Sequence, residues 1–371
     1  MNNLTRRDFL KALGGTVAAS VLTTRAFADG VWLQTRPFEF LVVGDSLVWG
    51  QGLLEKDKFY TLTADWLRNE VFAGRRPVNL NVEAHSGSTL KFHPDEAEKY
   101  AKAGRDEATD FKPEVNVGFP STYKQIEVAA AEYRASGSPG ADLIMITGGI
   151  TDITTSVVYN PKGNDDQLRA DIKKYCFDHM YDVIERAAEL HPNALIAVVG
   201  YFPAISPQSN DGKLMNAWLE VLDTNGFKKA LMNNPIVRPL IFGKLKKRAI
   251  ERSRIWVSES NKNSSAAVDK LNAKLGRTRA VFIQGPLTDD DAAETPNTKL
   301  WRMGKNGVVD DAVAQSRIKD CNEALPKLKG ETGIDYPVRL CEAAAVGHPN
   351  PAGARAYTEA IKTALSPMIR R

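Results

Sequence analysis

The stretch "FEFLVVGDSLVWGQGL", residues 38–53, decides the fold. Its apolar run stops abruptly at Gly44-Asp45-Ser46. Apolar runs with little alternation are typical of strands that are covered on both faces, as in a parallel sheet. Parallel sheets place their binding chemistry beyond the carboxyl ends of the strands. The pattern therefore predicts a buried first strand that presents Ser46 either as the cap of the next helix or as a nucleophile.

Four further apolar runs follow, at residues 78–84, 141–147, 194–200 and 280–284. Helical patterns over residues 57–71 and 166–190 lie between them. Strands that alternate with helices predict a three-layer α/β/α domain around a parallel sheet of about five strands, which we place over residues 29–371. Residues 206–270 are more than one crossover helix needs, so we predict a helical insertion between strands 4 and 5.

The predicted strand ends carry glycine together with small hydroxyl or acidic residues. The second run is followed by His85-Ser86-Gly87-Ser88, and the third by Gly148-Gly149-Ile150-Thr151-Asp152. Such turns favour these residues for helix capping alone, but glycine also lets backbone N–H groups approach a ligand closely. Together the three ends predict a small polar site, which we expect to be lined by Asp45, Ser46, Gly87, Gly149, Thr151 and Asp152.

A fourth element comes near the end of the sequence, in "VGHPNPAGARAYTEAI", residues 346–361. Asn350 and Pro351 form a good N-cap and first position for a helix, and His348 comes just ahead of them. The amino end of a helix favours a neutral imidazole, which is the form that a general base requires. We therefore predict that His348 is the base of the site.

Taken in this order, the four blocks resemble the GDSL/SGNH hydrolase superfamily over residues 38–365. The resemblance implies a flavodoxin-like sheet, Ser46 as nucleophile and His348 as base. It also implies an oxyanion hole formed by the backbone N–H groups of Ser46 and Gly87. The third block of that superfamily is Gly-x-Asn-Asp, and Thr151 stands here in place of the asparagine, so either Thr151 or another group must donate. No Gly-x-Ser-x-Gly motif occurs, which argues against an α/β-hydrolase.

The superfamily usually places an aspartate three residues before the histidine, and that position is Ala345 here. Glu342, Asp335 or a backbone carbonyl would then orient His348, or the enzyme would use a Ser–His dyad.

The resemblance implies an esterase that works through an acyl-enzyme and requires neither a metal nor a cofactor. Its substrates would be carboxylic esters of a lipid, a sugar or a small molecule. An O-acyltransferase would differ only in the group that accepts the acyl chain. A different alternative is a non-catalytic or weakly active module that binds envelope glycans, with Thr151 and Ala345 as signs of decay.

Residues 1–28 have the pattern of an export signal. The sequence "TRRDFLK" at residues 5–11 resembles a twin-arginine signal, and Ala26-Phe27-Ala28 forms a cleavage site. We expect the twin-arginine machinery to export the protein to the periplasm or the medium. No later stretch is apolar for the roughly 18 residues that a membrane span needs. Most of the net charge of +4 lies in this leader, so the composition does not favour a nucleic-acid partner.

Three further features leave alternatives open. Export would allow a disulfide between Cys321 and Cys341, although two buried free thiols would also fit. The acidic residues 289–291, with Glu294, would bind calcium or form a solvated loop, and we favour the loop. The basic insertion would either expose a solvated face or cover the site and accept acyl chains or an anionic substrate, and its basic residues are Lys244, Lys246, Lys247, Arg248, Arg252 and Arg254.

Overall fold

The computed structural model describes residues 36–107, 111–213, 237–304 and 307–369. The leader at residues 1–28 lies outside the described residues, and so do residues 214–236 of the insertion.

Five parallel strands form the central sheet, in the order β2-β1-β3-β4-β5. They are β1 (Phe38–Gly44), β2 (Val78–Val82), β3 (Leu143–Thr147), β4 (Leu195–Val199) and β5 (Ala280–Ile283). This confirms the predicted α/β fold with a five-stranded parallel sheet. Because β1 lies between β2 and β3, the segments that follow these three strands meet at one edge of the sheet.

Helices and shorter helical turns connect the strands. They are α1 (Ser46–Trp49), α2 (Phe59–Trp66), α3 (Pro94–Lys102), α4 (Thr122–Ala135), α5 (Ile150–Ile153), α6 (Thr155–Val158), α7 (Asp165–Lys173), α8 (Met180–Leu190), α9 (Val237–Leu275), α10 (Ala314–Thr332), α11 (Val338–Glu342) and α12 (Pro351–Leu365). A π-helical segment, Leu67–Val71, extends α2, and another, Lys174–His179, joins α7 to α8. The two long helical patterns read from the sequence therefore match α2 with its extension and α7 with α8.

The sheet is buried on both faces because alternate residues of each strand point to opposite sides. In β1, Phe40 and Val42 belong to the core under α2 and α12. Their neighbours Leu41 and Val43 pack with residues of α4 and α8 on the other face. This double coverage explains why β1 is a continuous apolar run and not an alternating one.

The basic insertion continues into α9, a helix of 39 residues. The Lys246 ammonium pairs with Asp211, and Arg254 pairs with Asp289. Arg252 is 1% exposed, pairs with Asp165 and donates to the carbonyl oxygen of Val158. Much of the basic cluster is therefore paired with acidic residues of the same chain. This pairing does not favour a site for an anionic substrate.

Cys321 and Cys341 form a disulfide that joins α10 to α11, whereas Cys176 is a free, buried thiol. Within the four described ranges, no group of three or more His, Cys, Asp or Glu side chains is arranged to hold a metal ion. None of the helices in these ranges is both long and apolar enough to cross a membrane.

Candidate active site

Ser46 lies at the carboxyl end of β1, as the first residue of α1. The chain turns there through Gly44, whose φ of +128° is in the region that favours glycine. A Cβ at this position would lie 2.3 Å from the carbonyl oxygen of Thr147, so only glycine allows β1 to approach the end of β3 this closely. Asp45 then caps α1 by accepting a hydrogen bond from the N–H of Leu47 at 3.0 Å.

Asp45 and Asp152 support the site from behind and do not line its cavity. Asp45 is buried and accepts hydrogen bonds from the hydroxyls of Thr147 and Tyr201, and burial raises its pKa. The two oxygens of Asp152 share one bifurcated hydrogen bond from the N–H of Leu90, and burial raises the pKa of Asp152 to about 7. We expected both carboxylates to line the site, but their partners are the buried strand ends and loops beneath it.

Gly149 also lies behind the cavity wall. Its φ is +118°, and a Cβ there would lie 2.8 Å from Sγ of Cys176 in the core. It shapes the turn between β3 and α5, and the following residues Ile150 and Thr151 line the cavity in its place.

Ser46 and His348 meet although they are 302 positions apart: the distance between Ser46 Oγ and His348 Nε2 is 2.7 Å. Neither predicted carboxylate contacts the imidazole. Glu342 accepts a hydrogen bond from the side chain of Asn322, and Asp335 forms an ion pair with Lys329 on the surface. The Ser–His pair therefore has no acid partner among the described residues.

The second ring nitrogen of His348, Nδ1, is buried and has no hydrogen-bond partner among the described residues. The nearby carbonyls of Ala344, Ala345 and Val346 raise the pKa of the ring. Burial outweighs them and, with the charge of Arg317, lowers the pKa of His348 to about 4. The imidazole is therefore neutral at neutral pH and able to take a proton from Ser46.

A buried ionic cluster links the segment before His348 to α1. Arg317 is fully buried, donates to Asp311 and to Glu114, and also donates from Nε to the carbonyl oxygen of Glu342 at 3.1 Å. Glu114 in turn accepts a hydrogen bond from Nε1 of Trp49, at the end of α1, at 2.8 Å. The sequence did not reveal this cluster, because no short-range pattern relates Arg317 to Glu114, which is 203 positions away.

Gly87 lines the same cavity as Ser46, with a φ of +82°. A Cβ at Gly87 would lie 2.4 Å from Oδ1 of Asn116 and 2.7 Å from the backbone of Val117. The backbone N–H groups of Ser46 and Gly87 donate no hydrogen bond to any described residue. Both donors therefore remain available to an oxygen bound beside Ser46.

Thr151 lines the same cavity, but its hydroxyl donates to the carbonyl oxygen of Ser88 at 2.6 Å. A hydroxyl has a single proton, so Thr151 in this position ties down the loop that carries Gly87 and gives no donor to the cavity. Asn116 is the amide side chain that lines the cavity next to Gly87. The sequence carried no motif that marked it.

The cavity measures about 430 Å³ and includes Ser46 and His348. Much of its wall is aromatic or aliphatic, with Tyr159, Tyr201, Phe202, Ile205, Trp256 and Leu340. Trp256 comes from α9, so the helix that continues the insertion contributes directly to the site. Such a mostly apolar wall with a few polar groups suits a small organic molecule or an acyl chain.

No protein-family model matches this chain, and no curated protein matches it. Among solved structures it is similar to an extracellular lipase from Streptomyces rimosus, with 11% identity over 88% of this chain and 99% of that chain and a TM-score of 0.45. It is also similar to phospholipase A1 from Streptomyces albidoflavus NA297, with 11% identity over 88% of this chain and 99% of that chain and a TM-score of 0.41. The lipase Lip_vut3 from a goat rumen metagenome has 15% identity over 88% and 97% and a TM-score of 0.41. Similarities this weak say nothing about activity, so the function is inferred from the site.

Proposed function

We propose that this protein is an exported serine esterase of the GDSL/SGNH type, with Ser46 as nucleophile and His348 as base. The observation that carries the proposal is the 2.7 Å contact between Ser46 Oγ and His348 Nε2. It occurs at the carboxyl end of a parallel sheet, in an apolar cavity that holds two free backbone donors. A helix cap would need neither the histidine nor the cavity.

The reaction has two steps. Neutral His348 takes the proton of Ser46 as Oγ attacks the ester carbonyl, and the N–H groups of Ser46 and Gly87 stabilise the oxyanion. His348 then gives that proton to the leaving alcohol, and an acyl-enzyme remains on Ser46. Water, activated by His348, attacks the acyl-enzyme and releases the acid.

Backbone carbonyls take the place of a third catalytic acid in this proposal. The carbonyls of Ala344, Ala345 and Val346 lie near enough to the His348 ring to raise its pKa, although none accepts a hydrogen bond from Nδ1. Through their dipoles they would favour the imidazolium formed during the reaction, and the contact of Nε2 with Ser46 would leave the ring proton on Nδ1. The side-chain amide of Asn116, next to Gly87, would be the third donor to the oxyanion.

Two observations support export. The leader pattern at residues 1–28 resembles a twin-arginine signal. The disulfide between Cys321 and Cys341 suits an oxidising compartment such as the periplasm or the medium. The non-catalytic alternative is less consistent with the site, because a glycan-binding module has no need of a serine in hydrogen-bond contact with a neutral, buried histidine.

The test is hydrolysis of p-nitrophenyl acetate, butanoate, octanoate and palmitate by the purified protein. Ser46→Ala and His348→Ala should each lower kcat by roughly 10³-fold or more, because they remove nucleophile and base. Ser366→Ala, which changes an exposed hydroxyl on the surface, should have no effect. A fluorophosphonate should label Ser46 and fail to label Ser46→Ala. Equal turnover in the wild type and in both catalytic variants would refute the proposal.

A further inference from the structure

Glu294 is a buried carboxylate in the wall of the cavity that the proposed mechanism does not use. It follows β5 and the short helical turn Asp289–Asp291, and its side chain is 5% exposed. Neighbouring acids of the predicted acidic loop have partners elsewhere, since Asp289 pairs with Arg254 and Asp291 with Lys299. Glu294 instead lines the cavity that contains Ser46 and His348.

The backbone of Glu294 is held in an unfavourable conformation. Its φ is +58°, in the left-handed region that side chains other than those of Gly, Asn and Asp rarely adopt. Two hydrogen bonds maintain it: the N–H of Asn210 donates to the carbonyl oxygen of Glu294 at 2.8 Å, and the N–H of Ala293 donates to Ala204 at 2.9 Å. Backbone strain of this kind occurs preferentially at ligand sites, where the surrounding structure maintains it.

The carboxylate of Glu294 accepts no hydrogen bond from any described residue. Its nearest cationic atom is Nε of Arg302, 4.0 Å from Oε2, and that N–H is itself buried without a partner. Burial raises the pKa of Glu294, against the opposing charges of Arg302 and Lys213. The Glu294 side chain keeps 5% exposure and lines the cavity, so a donor brought by a ligand in that cavity would add a hydrogen bond to its carboxylate.

The position of Glu294 relates it to the leaving alcohol. Arg302 follows Trp301, and the N–H of Trp301 donates to the carbonyl oxygen of His348 at 2.8 Å. His348 must protonate the leaving alcohol, so the alcohol lies on the side of the cavity that contains His348 and Trp301. Glu294 lines that cavity, and Oε2 of its carboxylate is 4.0 Å from Nε of Arg302, the residue next to Trp301.

We propose that Glu294 is a specificity-determining residue that accepts a hydrogen bond from a hydroxyl of the leaving alcohol. The protein then prefers esters of polyols to esters of simple alkanols. A neutral hydroxyl fits better than an ammonium group, because the guanidinium of Arg302 is already 4.0 Å from the carboxylate and would repel a second cation. This inference rests on the proposed esterase function and adds the chemistry of the substrate's alcohol.

The experiment compares 2,3-dihydroxypropyl butanoate with propyl butanoate, which share the acyl group, the ester and a three-carbon alcohol. The wild type should have the higher kcat/KM for the dihydroxy ester. Glu294→Leu should lower kcat/KM for that ester about 10- to 100-fold, as expected when a hydrogen bond to a charged group is lost. The same change should leave kcat/KM for the propyl ester within about twofold of the wild-type value. Glu294→Gln, nearly equal in shape, should give an intermediate loss.

Two controls separate recognition from folding. Glu98→Gln alters a glutamate on the surface of α3 that is 67% exposed, and it should leave the ratio of the two kcat/KM values unchanged. Thermal unfolding of each variant shows whether the fold is retained, and Glu294→Gln keeps the comparison informative if Glu294→Leu unfolds.

Three results would overturn the inference. The first is an equal loss of kcat/KM for both esters in Glu294→Gln, which would assign Glu294 a structural role beside Arg302. The second is an unchanged ratio in the variants while Ser46-dependent hydrolysis of p-nitrophenyl butanoate continues, and in that case the esterase proposal survives. The third is a larger loss on butanoylcholine than on the dihydroxy ester, which would indicate a cation site. Absence of Ser46-dependent turnover on every ester would overturn both proposals together.

Discussion

The acid side of the pH–activity profile reports directly on the environment of His348. An ordinary histidine has a pKa near 6.5 and would lose its neutral form through mildly acidic pH. Burial, with a smaller contribution from the Arg317 charge, lowers the pKa of His348 to about 4. Because kcat/KM follows the neutral form of the base in the free enzyme, the profile should stay flat well below pH 6.5.

The expected difference in kcat/KM is already large at pH 5.5 and grows toward lower pH. A base of pKa 6.5 would be about 9% neutral there, whereas a base of pKa 4 would be about 97% neutral, a difference of roughly tenfold in kcat/KM. We expect kcat/KM for a neutral ester to be nearly constant from pH 7 to about pH 5. It should then fall tenfold per pH unit below about pH 4.

The assay uses propyl butanoate with chromatographic detection of the released alcohol, because the colour of p-nitrophenolate fades in acid. Each sample is also returned to pH 7 and assayed again, so that unfolding is separated from protonation. In Ser46→Ala, the pKa of His348 is measured independently by NMR titration of the imidazole. An inflection near pH 6.5 in the profile or the titration would refute the reasoning that burial controls this group.

Three further predictions concern stability. In urea titrations, Arg252→Leu should lower the free energy of unfolding by about 3 kcal/mol, because it removes a buried charge and leaves its acceptors unpaired. Arg254→Leu, which breaks an ion pair on the surface, should lower it by less than about 1 kcal/mol. Replacing Cys321 and Cys341 by serine should lower it by about 3 kcal/mol, because the disulfide closes a loop of 20 positions in the unfolded chain, and the same loss should follow reduction of the wild type. Burial lowers the pKa of His191 to about 4, so between pH 6.5 and 4 the unfolded chain takes up a proton that the folded protein does not. The free energy of unfolding should therefore decrease as the pH is lowered through this window. His191→Gln should reduce that slope by about 1.4 kcal/mol per pH unit, and an unchanged slope would contradict the assignment.

The fold was predictable because its signals are local. Four of the five strands were short apolar runs that ended in or just before glycine, and the observed β1 covers Phe38–Gly44 against a predicted run at 38–43. The long pattern at 166–190 corresponds to helix from Asp165 to Leu190. These features depend on residues a few positions apart, where periodicity and turn chemistry determine backbone conformation.

The predicted nucleophile and base were also marked locally. Ser46 followed a strand end and His348 preceded a helix, and the parallel sheet brings these two ends of the chain to one edge. Parallel order made this meeting predictable, because the carboxyl ends of all strands face the same way.

What surrounds this pair was decided only by the tertiary structure. Arg317 donates a hydrogen bond to Glu114, 203 positions away, and the hydroxyl of Thr151 donates to Ser88, 63 positions away. Glu294 lines the cavity with its own backbone in the left-handed conformation. The sequence alone determined which elements form and where the reactive groups stand along them. The partners of each polar side chain depend on which distant groups become buried beside it. That is set by packing of the whole domain, because a buried charge or hydroxyl is stable only where a partner happens to lie within hydrogen-bond distance.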